Sequence, residues 1–156
     1  MYKVLFVCHG NICRSPMAEF VMNELVRHAG REKEFVIGSK ACRTDEVGSD
    51  SHPGTQQVLR AHGIPFTTRR ARQIRRDDYE QWDYIIGMDE ENMRDLHKLF
   101  PLDQAHKIYS LLAFAGEERD VADPWYTGNF ERTYKDVRQG CKALLADLSS
   151  DESKEN

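Results

Sequence analysis

The residues best suited to chemistry lie in one short segment near the amino terminus. Residues 8–15 read Cys-His-Gly-Asn-Ile-Cys-Arg-Ser, which places a cysteine six positions before an arginine. A cysteine thiolate is a strong nucleophile, and the guanidinium of Arg14 offers a planar fork of donors that fits phosphoryl oxygens. A helix N-terminus after the segment would favour the thiolate form of Cys8, as would Arg14. The segment therefore predicts a thiol-based site for an anion.

The flanking residues predict a strand before this segment and a helix after it. Residues 2–7 are nearly all apolar and have the length of a strand that is buried on both faces. Ser15 and Pro16 predict the N-cap and first position of a helix that ends near Gly30. In a loop between such elements, backbone N–H groups can point inward around an anion. We therefore expect a phosphate cradle built by Cys8 and Arg14 with His9, Gly10, Asn11, Ile12, Cys13 and Ser15.

The remaining chain alternates between strand and helix patterns. Further strands are predicted at 35–37, 84–88 and 107–111, and further helices at 53–62, after an Asp89 cap, and at about 130–148. This alternation predicts an α/β fold with a four-stranded parallel sheet and helices on both faces, of the flavodoxin-like or Rossmann-like kind. Ligands of such sheets bind at the carboxyl ends of the strands, where residues 8–15 fall. One domain is expected over 1–148, followed by a disordered polar tail at 149–156.

Composition and charge argue against several classes of protein. The 156 residues are 40% hydrophobic and 31% charged, which suits a globular domain. No apolar run approaches the ~20 residues that span a bilayer, and no signal peptide is evident, so we expect a cytoplasmic protein, with export by another route left open. The net charge of -4 argues against a nucleic-acid partner, and the five arginines within 69–76 are interpreted as a solvated face. The four cysteines form no C-x-x-C pair, which argues against a zinc site or a disulfide framework.

Several segments resemble the low-molecular-weight protein tyrosine phosphatases. Residues 6–19 are similar to the amino-terminal signature of that family, and residues 123–126, Asp-Pro-Trp-Tyr, resemble its distal acid loop. Residues 62–64, 71–74 and 88–90 also resemble family segments, so the likeness covers about residues 2–148. It implies a phosphatase that uses no cofactor or metal, acts on phosphotyrosine-containing proteins and releases inorganic phosphate. We further expect a monomer or weak self-association and, from the composition and charge, no nucleic-acid or membrane partner.

The resemblance assigns the reaction to three residues. Cys8 attacks phosphorus to form a phosphocysteine, while Arg14 and the loop amides hold the equatorial oxygens. Asp123 protonates the leaving phenolate, and the same carboxylate then activates the water that hydrolyses the thiophosphate.

Supporting roles also follow from the resemblance. Ser15 would donate its hydroxyl to the Cys8 thiolate, and Asn11 would brace the loop with Ser39 as its partner. Cys13 would protect Cys8 during oxidation by forming a disulfide with it, although a small buried side chain is the alternative reading of this cysteine.

The walls of the expected cleft are less uniform. The family's aromatic residues after the acid imply that Trp125 and Tyr126 line the cleft and stack on the substrate ring. Asp45 departs from the family, because many relatives carry an aromatic residue on the opposing wall. An acidic wall would favour substrates with basic flanks, and a solvated loop residue is the other open reading.

Three other functions stay open alongside the phosphotyrosine phosphatase. Arsenate reductases of the same fold relay oxidation through two further cysteines, but Cys42 and Cys141 lie far apart in the sequence. Arginine phosphatases of the same fold carry threonine where Ile12 stands. A non-catalytic phosphate-binding adaptor would need neither the Cys8 nucleophile nor the Asp123 acid.

Overall fold

A computed structural model describes residues 1–148, and its centre is an all-parallel sheet of four strands in the order β2-β1-β3-β4. The strands are β1 (Tyr2–Cys8), β2 (Phe35–Ala41), β3 (Tyr84–Gly87) and β4 (Ile108–Ser110). The helices are α1 (Arg14–His28), α2 (Pro53–Ala61), α3 (Asp78–Gln81), α4 (Glu90–Leu99), α5 (Pro124–Thr127) and α6 (Phe130–Asp147), with 3-10 turns at Glu32–Glu34 and Leu111–Ala115. The predicted α/β fold class is confirmed, and the predicted polar tail lies outside the described residues.

Strand β1 is buried on both faces because helices cover each side of the sheet. Val4 and Phe6 belong to a core shared with α1 and α6, whereas Leu5 and Val7 pack in a second core with Leu96 of α4. Side chains alternate between the faces of a strand, so an unbroken apolar run supplies both cores. This packing fixes the end of β1, where Cys8 lies.

The start of α1 differs from the sequence-based expectation. The helix begins at Arg14 with Cys13 as its N-cap residue, so the assignment of Ser15 as N-cap is wrong. The Ser15 hydroxyl contacts Cys8 and Asn11 instead, which leaves it unable to cap the helix. Pro16 still lies in the first turn, where a missing backbone N–H costs no intrahelical hydrogen bond.

Strand β2 is longer than the sequence predicts, and the short helices α3 and α5 are not predicted at all. Strand β2 pairs with β1 along its full length, from Phe35 beside Tyr2 to Ala41 beside Cys8, although only its apolar first half had been predicted. Helices α3 and α5 have four residues each, too few to produce a helical hydrophobic pattern. Asp89 caps α4 as predicted, in a reciprocal capping box with Asn92.

Within residues 1–148, no helix is both long and apolar enough to cross a bilayer.

Helix α6 approaches the 3-10 turn at Leu111–Ala115 closely, and Gly140 lies at the point of contact. A methyl group added at Gly140 would overlap the side chain of Leu111, which is completely buried. This glycine is therefore required by packing, despite the entropic cost of glycine inside a helix.

We predict that Gly140→Ala destabilises the protein by about 1–3 kcal/mol, because overpacking outweighs the ~1 kcal/mol gained in helix propensity. Urea unfolding would measure the change. In a Leu111→Ala background the overlap is removed, so the same substitution should become stabilising. Stabilisation by Gly140→Ala in the native background would contradict the packing argument.

Candidate active site

A cleft opens at the carboxyl edge of the sheet, where the loop after β1 meets the segments that follow β2 and β3. Cys8 ends β1, and its loop leads directly into α1. The cleft is lined by residues from four parts of the chain: Cys8, His9, Gly10, Ile12, Cys13, Arg14, Asp45, Glu46, Asp89, Glu91, Asp123, Trp125 and Tyr126. Its place agrees with the position expected for a ligand site in a parallel sheet.

The sulfur of Cys8 lies at the buried floor of this cleft. The Sγ atom is 3.0 Å from the hydroxyl of Ser15 and 3.4 Å from the Ser15 backbone nitrogen, which donates to it. Both residues are buried. Two donors from the first turn of α1 can thus stabilise negative charge on the sulfur.

Arg14 is a nearly buried cation beside the sulfur, with 3% of its side chain exposed. Its Nη2 lies 2.8 Å from Asp89 Oδ2 and 3.3 Å from Asp123 Oδ2, and its Nη1 donates to the carbonyl oxygen of Val121. Burial opposes the charged form, but the Cys8 thiolate and the two carboxylates outweigh it and raise the pKa of Arg14. The guanidinium is therefore held as a cation facing the cleft.

Asp123 presents its carboxylate to the cleft from the start of α5. Oδ1 accepts a hydrogen bond from the backbone N–H of Trp125 at 3.0 Å, which makes Asp123 the N-cap residue of this short helix. Oδ2 is the oxygen that faces Arg14. Pro124 at the first helical position restricts the backbone after the acid, so the carboxylate is fixed by local structure.

Asn11 braces the cradle from behind. Its backbone has φ of 59°, the left-handed region that is costly for residues other than glycine. Its Nδ2 donates to the hydroxyls of Ser15 at 2.8 Å and Ser39 at 2.9 Å, and Ser39 in turn donates to Glu19 at 2.6 Å. Burial raises the pKa of Glu19, although its hydrogen bond with Ser39 opposes that change. This chain of buried and partly buried hydrogen bonds stabilises a strained turn directly under the anion site.

Arg69 holds the other side of Asn11. Its Nη1 donates to the Asn11 carbonyl oxygen at 2.8 Å, and its Nη2 donates to Asn11 Oδ1. The Arg69 charge also interacts with Cys8 and Glu19. The interpretation of residues 69–76 as a solvated face is therefore wrong for Arg69, whose side chain is partly buried against the loop.

The two walls at the mouth of the cleft differ in chemistry. Trp125 and Tyr126 are 74% and 86% exposed and form an aromatic wall. The other wall is charged. There His9 lies between two carboxylates, with its Nε2 atom 2.8 Å from Asp45 Oδ2 and its Nδ1 atom 3.0 Å from Glu91 Oε1. A flat aryl group bound between these walls would place an attached phosphate near Cys8.

Comparison with known proteins decides the family. The family model for low molecular weight phosphotyrosine protein phosphatases matches residues 3–154. The chain belongs to this family. It is 40% identical to the low molecular weight protein-tyrosine-phosphatase YfkJ of Bacillus subtilis strain 168, over 97% of this chain and 98% of that protein. The predicted family and enzyme class are confirmed.

Solved structures of this phosphatase family have the same fold. A low molecular weight protein tyrosine phosphatase from Streptococcus pyogenes is similar at 43% identity and a TM-score of 0.87, with 100% of this chain and 99% of that chain covered. A Drosophila arginine phosphatase is similar at 30% identity and a TM-score of 0.86, covering 97% and 99%. Fold alone therefore does not separate phosphotyrosine from phosphoarginine as substrate.

Most of the predicted site residues meet in the cleft of this phosphatase. The side chains of Asn11 and Ser15 are buried and do not line the cleft, so a contact of these two residues with phosphate through their backbone N–H groups stays a prediction. Ser39 lies behind the loop as well, bonded to Asn11 as predicted. Among residues 1–148, no three His, Cys, Asp or Glu side chains are grouped so that they could hold a metal ion.

Sequence reasoning missed four polar residues around the phosphatase site: Asp89, Glu91 and Arg69, and also Glu46, which lines the cleft. Asp89 was recognised only as a helix cap, yet its Oδ2 contacts Arg14. Its position directly after β3, the strand beside β1, was the available signal. Glu91 and Arg69 gave no comparable signal, because each reaches the loop through a contact between residues 58 or more positions apart in the chain.

We predict that Arg69→Gln lowers kcat/KM for p-nitrophenyl phosphate by ~10- to 100-fold, because Asn11 loses the guanidinium that positions the loop. Arg69→Lys should recover part of the loss, since it restores the charge but not the two-point contact.

Arg70→Gln is the matched control for this prediction, because Arg70 is the exposed neighbour in the sequence. It should leave kcat/KM unchanged. Equal behaviour of Arg69→Gln and Arg70→Gln would show that Arg69 is not a positioning residue.

Proposed function

We propose that this protein hydrolyses phosphotyrosine in proteins by phosphoryl transfer to Cys8 and then to water. The observation that carries the proposal is the meeting of a buried cysteine, a buried arginine and a carboxylate in one cleft, with Arg14 and Asp123 only 3.3 Å apart. A phosphate-binding adaptor would need the cradle and Arg14, but not a nucleophile and an acid.

The first step forms a phosphocysteine. Cys8 Sγ attacks phosphorus, a P–S bond forms, and the bond between phosphorus and the tyrosine oxygen breaks. Arg14 and the loop N–H groups hold the equatorial oxygens, where charge is already spread in the transition state. Asp123 gives its proton to the departing phenolate.

The second step releases phosphate. Asp123, now a carboxylate, takes a proton from the attacking water, and the P–S bond breaks to return the thiolate. The Ser15 hydroxyl, 3.0 Å from Sγ, and the Ser15 N–H stabilise that thiolate as it leaves. Asn11 and Ser39 act indirectly, by holding the hydroxyl of Ser15 and the loop in place.

The cleft walls support a phenyl phosphate as the substrate group. Trp125 and Tyr126 offer exposed rings that can stack on the tyrosine ring, and Ile12 adds an apolar side chain to the lining of the cleft. The similar Drosophila arginine phosphatase makes phosphoarginine the second candidate. The apolar Ile12 favours tyrosine, since a guanidinium group needs polar partners when it loses water.

Several finer assignments accompany this proposal. Residues 1–148 form one catalytic domain that acts in the cytoplasm as a monomer or weak oligomer, with phosphotyrosine proteins as partners and no cofactor. Cys13 lines the cleft, and burial together with the nearby Cys8 raises its pKa to about 12, so it is a neutral thiol at physiological pH. After oxidation of Cys8 to a sulfenic acid, Cys13 would form a disulfide with it and release water.

We predict that Cys8→Ser abolishes turnover, by at least about a thousandfold, because the nucleophile is lost. Asp123→Asn should slow the first turnover of phosphotyrosine by ~100-fold or more, since general acid catalysis contributes most when the leaving group is poor. Rapid mixing should show a smaller loss for p-nitrophenyl phosphate, whose phenolate leaves more easily. Cys42→Ser is the control for the cysteine substitution and should keep native turnover, because Cys42 lies outside this cleft. Equal losses of rate on both substrates in Asp123→Asn would exclude Asp123 as the general acid.

Substrate class is tested with phosphotyrosine and phosphoarginine peptides of the same sequence. We expect kcat/KM to be at least about tenfold higher for phosphotyrosine, and Ile12→Thr to reduce that ratio, because a hydroxyl can pair with the guanidinium. A wild-type preference for phosphoarginine would contradict the proposal.

A further inference from the structure

The mouth of the cleft contains a histidine held by two carboxylates from different parts of the chain. His9 belongs to the loop after β1, Asp45 to the loop after β2, and Glu91 to α4. The Nε2 atom of His9 lies 2.8 Å from Asp45 Oδ2, and its Nδ1 atom lies 3.0 Å from Glu91 Oε1. We call these three residues the rim triad.

To donate a hydrogen bond to each carboxylate, the His9 ring must carry a proton on both of its nitrogens. Only the imidazolium form has two such donors. The hydrogen bond with Asp45, followed by that with Glu91, raises the pKa of His9 above its ordinary value. The protonated triad therefore carries two negative charges and one positive charge. Its side chains are between 43% and 62% exposed, so they face a peptide arriving at the cleft.

The other charges around the mouth do not neutralise this excess. Among the described residues that line the cleft, the cationic side chains are His9 and Arg14, and Arg14 is buried at the floor between Asp89 and Asp123. Arg43 follows β2 nearby, but it makes two 3.0 Å contacts with Asp95. Glu46 adds a further carboxylate to the lining.

Because Cys8 is buried, the substrate residues beside the phosphotyrosine lie at the mouth of the cleft, next to the rim triad. A phosphotyrosine side chain that reaches the buried Cys8 leaves its peptide backbone at the mouth, so the neighbouring residues of the substrate pass the rim. The aromatic wall of Trp125 and Tyr126 is uncharged, and the rim triad therefore sets the charge that these neighbours encounter.

We propose that the rim triad is a specificity subsite that selects phosphotyrosine peptides with lysine or arginine beside the phosphotyrosine. The proposal rests on the proposed function and adds a substrate class to it. Asp45 and Glu91 attract the basic flank, and His9 holds both carboxylates in place at the mouth. Asp45, which stands where many relatives carry an aromatic residue, thus contributes to substrate specificity, and peptides with acidic residues beside the phosphotyrosine are repelled.

The experiment compares three phosphotyrosine peptides that differ only in the residues on either side of phosphotyrosine: lysine, alanine or glutamate. The measured quantity is the ratio of kcat/KM for the lysine peptide to that for the glutamate peptide, because the ratio cancels changes common to both. In the native protein we expect a ratio of about ten or more at low ionic strength, falling as salt screens the exposed charges. Asp45→Asn and Glu91→Gln should each lower it about threefold.

Glu80→Gln is the matched control. It removes the same charge from an exposed residue of α3, which precedes β3 and so lies at the amino end of the sheet, away from the cleft. The ratio should stay at its native value in this variant.

A second readout uses pH. The groups that face His9 are Asp45 and Glu91, with Arg43 near Asp45. As pH rises through the raised pKa of His9, the mouth loses one positive charge, so the lysine-to-glutamate ratio should increase. The phosphotyrosine is common to both peptides, and its own titration therefore cancels. In His9→Gln the ratio should not change over the same pH range.

A native ratio near one, or an equal decrease in Glu80→Gln and Asp45→Asn, would overturn the rim assignment and leave the proposed function intact. Failure to hydrolyse any of the three peptides, while p-nitrophenyl phosphate is hydrolysed, would overturn both.

Discussion

The buried guanidinium of Arg14 is the interaction on which the rest of the site depends. A cation that is 97% removed from solvent is costly unless it is paired, and Asp89 and Asp123 supply that pairing from two other segments. The same contacts aim Arg14 at the space above Cys8 and hold Asp123 beside it. One buried charge thus brings together the ends of β1 and β3 and the start of α5, which is the arrangement that phosphoryl transfer requires.

The second requirement is a loop whose N–H groups already point inward before substrate arrives. Asn11 adopts a left-handed backbone conformation at the centre of that loop, and such a conformation persists only when its surroundings hold it. Ser15, Ser39 and Arg69 provide the hydrogen bonds, and Glu19 completes the chain. Ser39, Arg69 and Glu19 do not line the cleft, so they act on the strained loop as positioning residues.

The contribution of sequence alone can be judged from particular residues. The apolar run of β1 and the Asp89 cap were predictable, because each is encoded locally by a pattern or by a capping residue. The family resemblance supplied Asp123, Ser39 and the bracing role of Asn11. Ser15 as the helix cap was wrong because its hydroxyl is used by the sulfur site, a tertiary contact that overrides local capping preference. Arg69 and the contact between His9 and Glu91 were not predictable, because they depend on how distant segments meet in space.

The most direct test of this account is mass spectrometry of the enzyme quenched during turnover of a phosphotyrosine peptide. The account predicts a phosphoryl group on the peptide that contains Cys8, retained in a Cys13→Ser variant and absent from Cys8→Ser. Turnover without phosphorylation of Cys8, or with the phosphoryl group on any other residue, would contradict the central claim that this buried thiol carries the reaction.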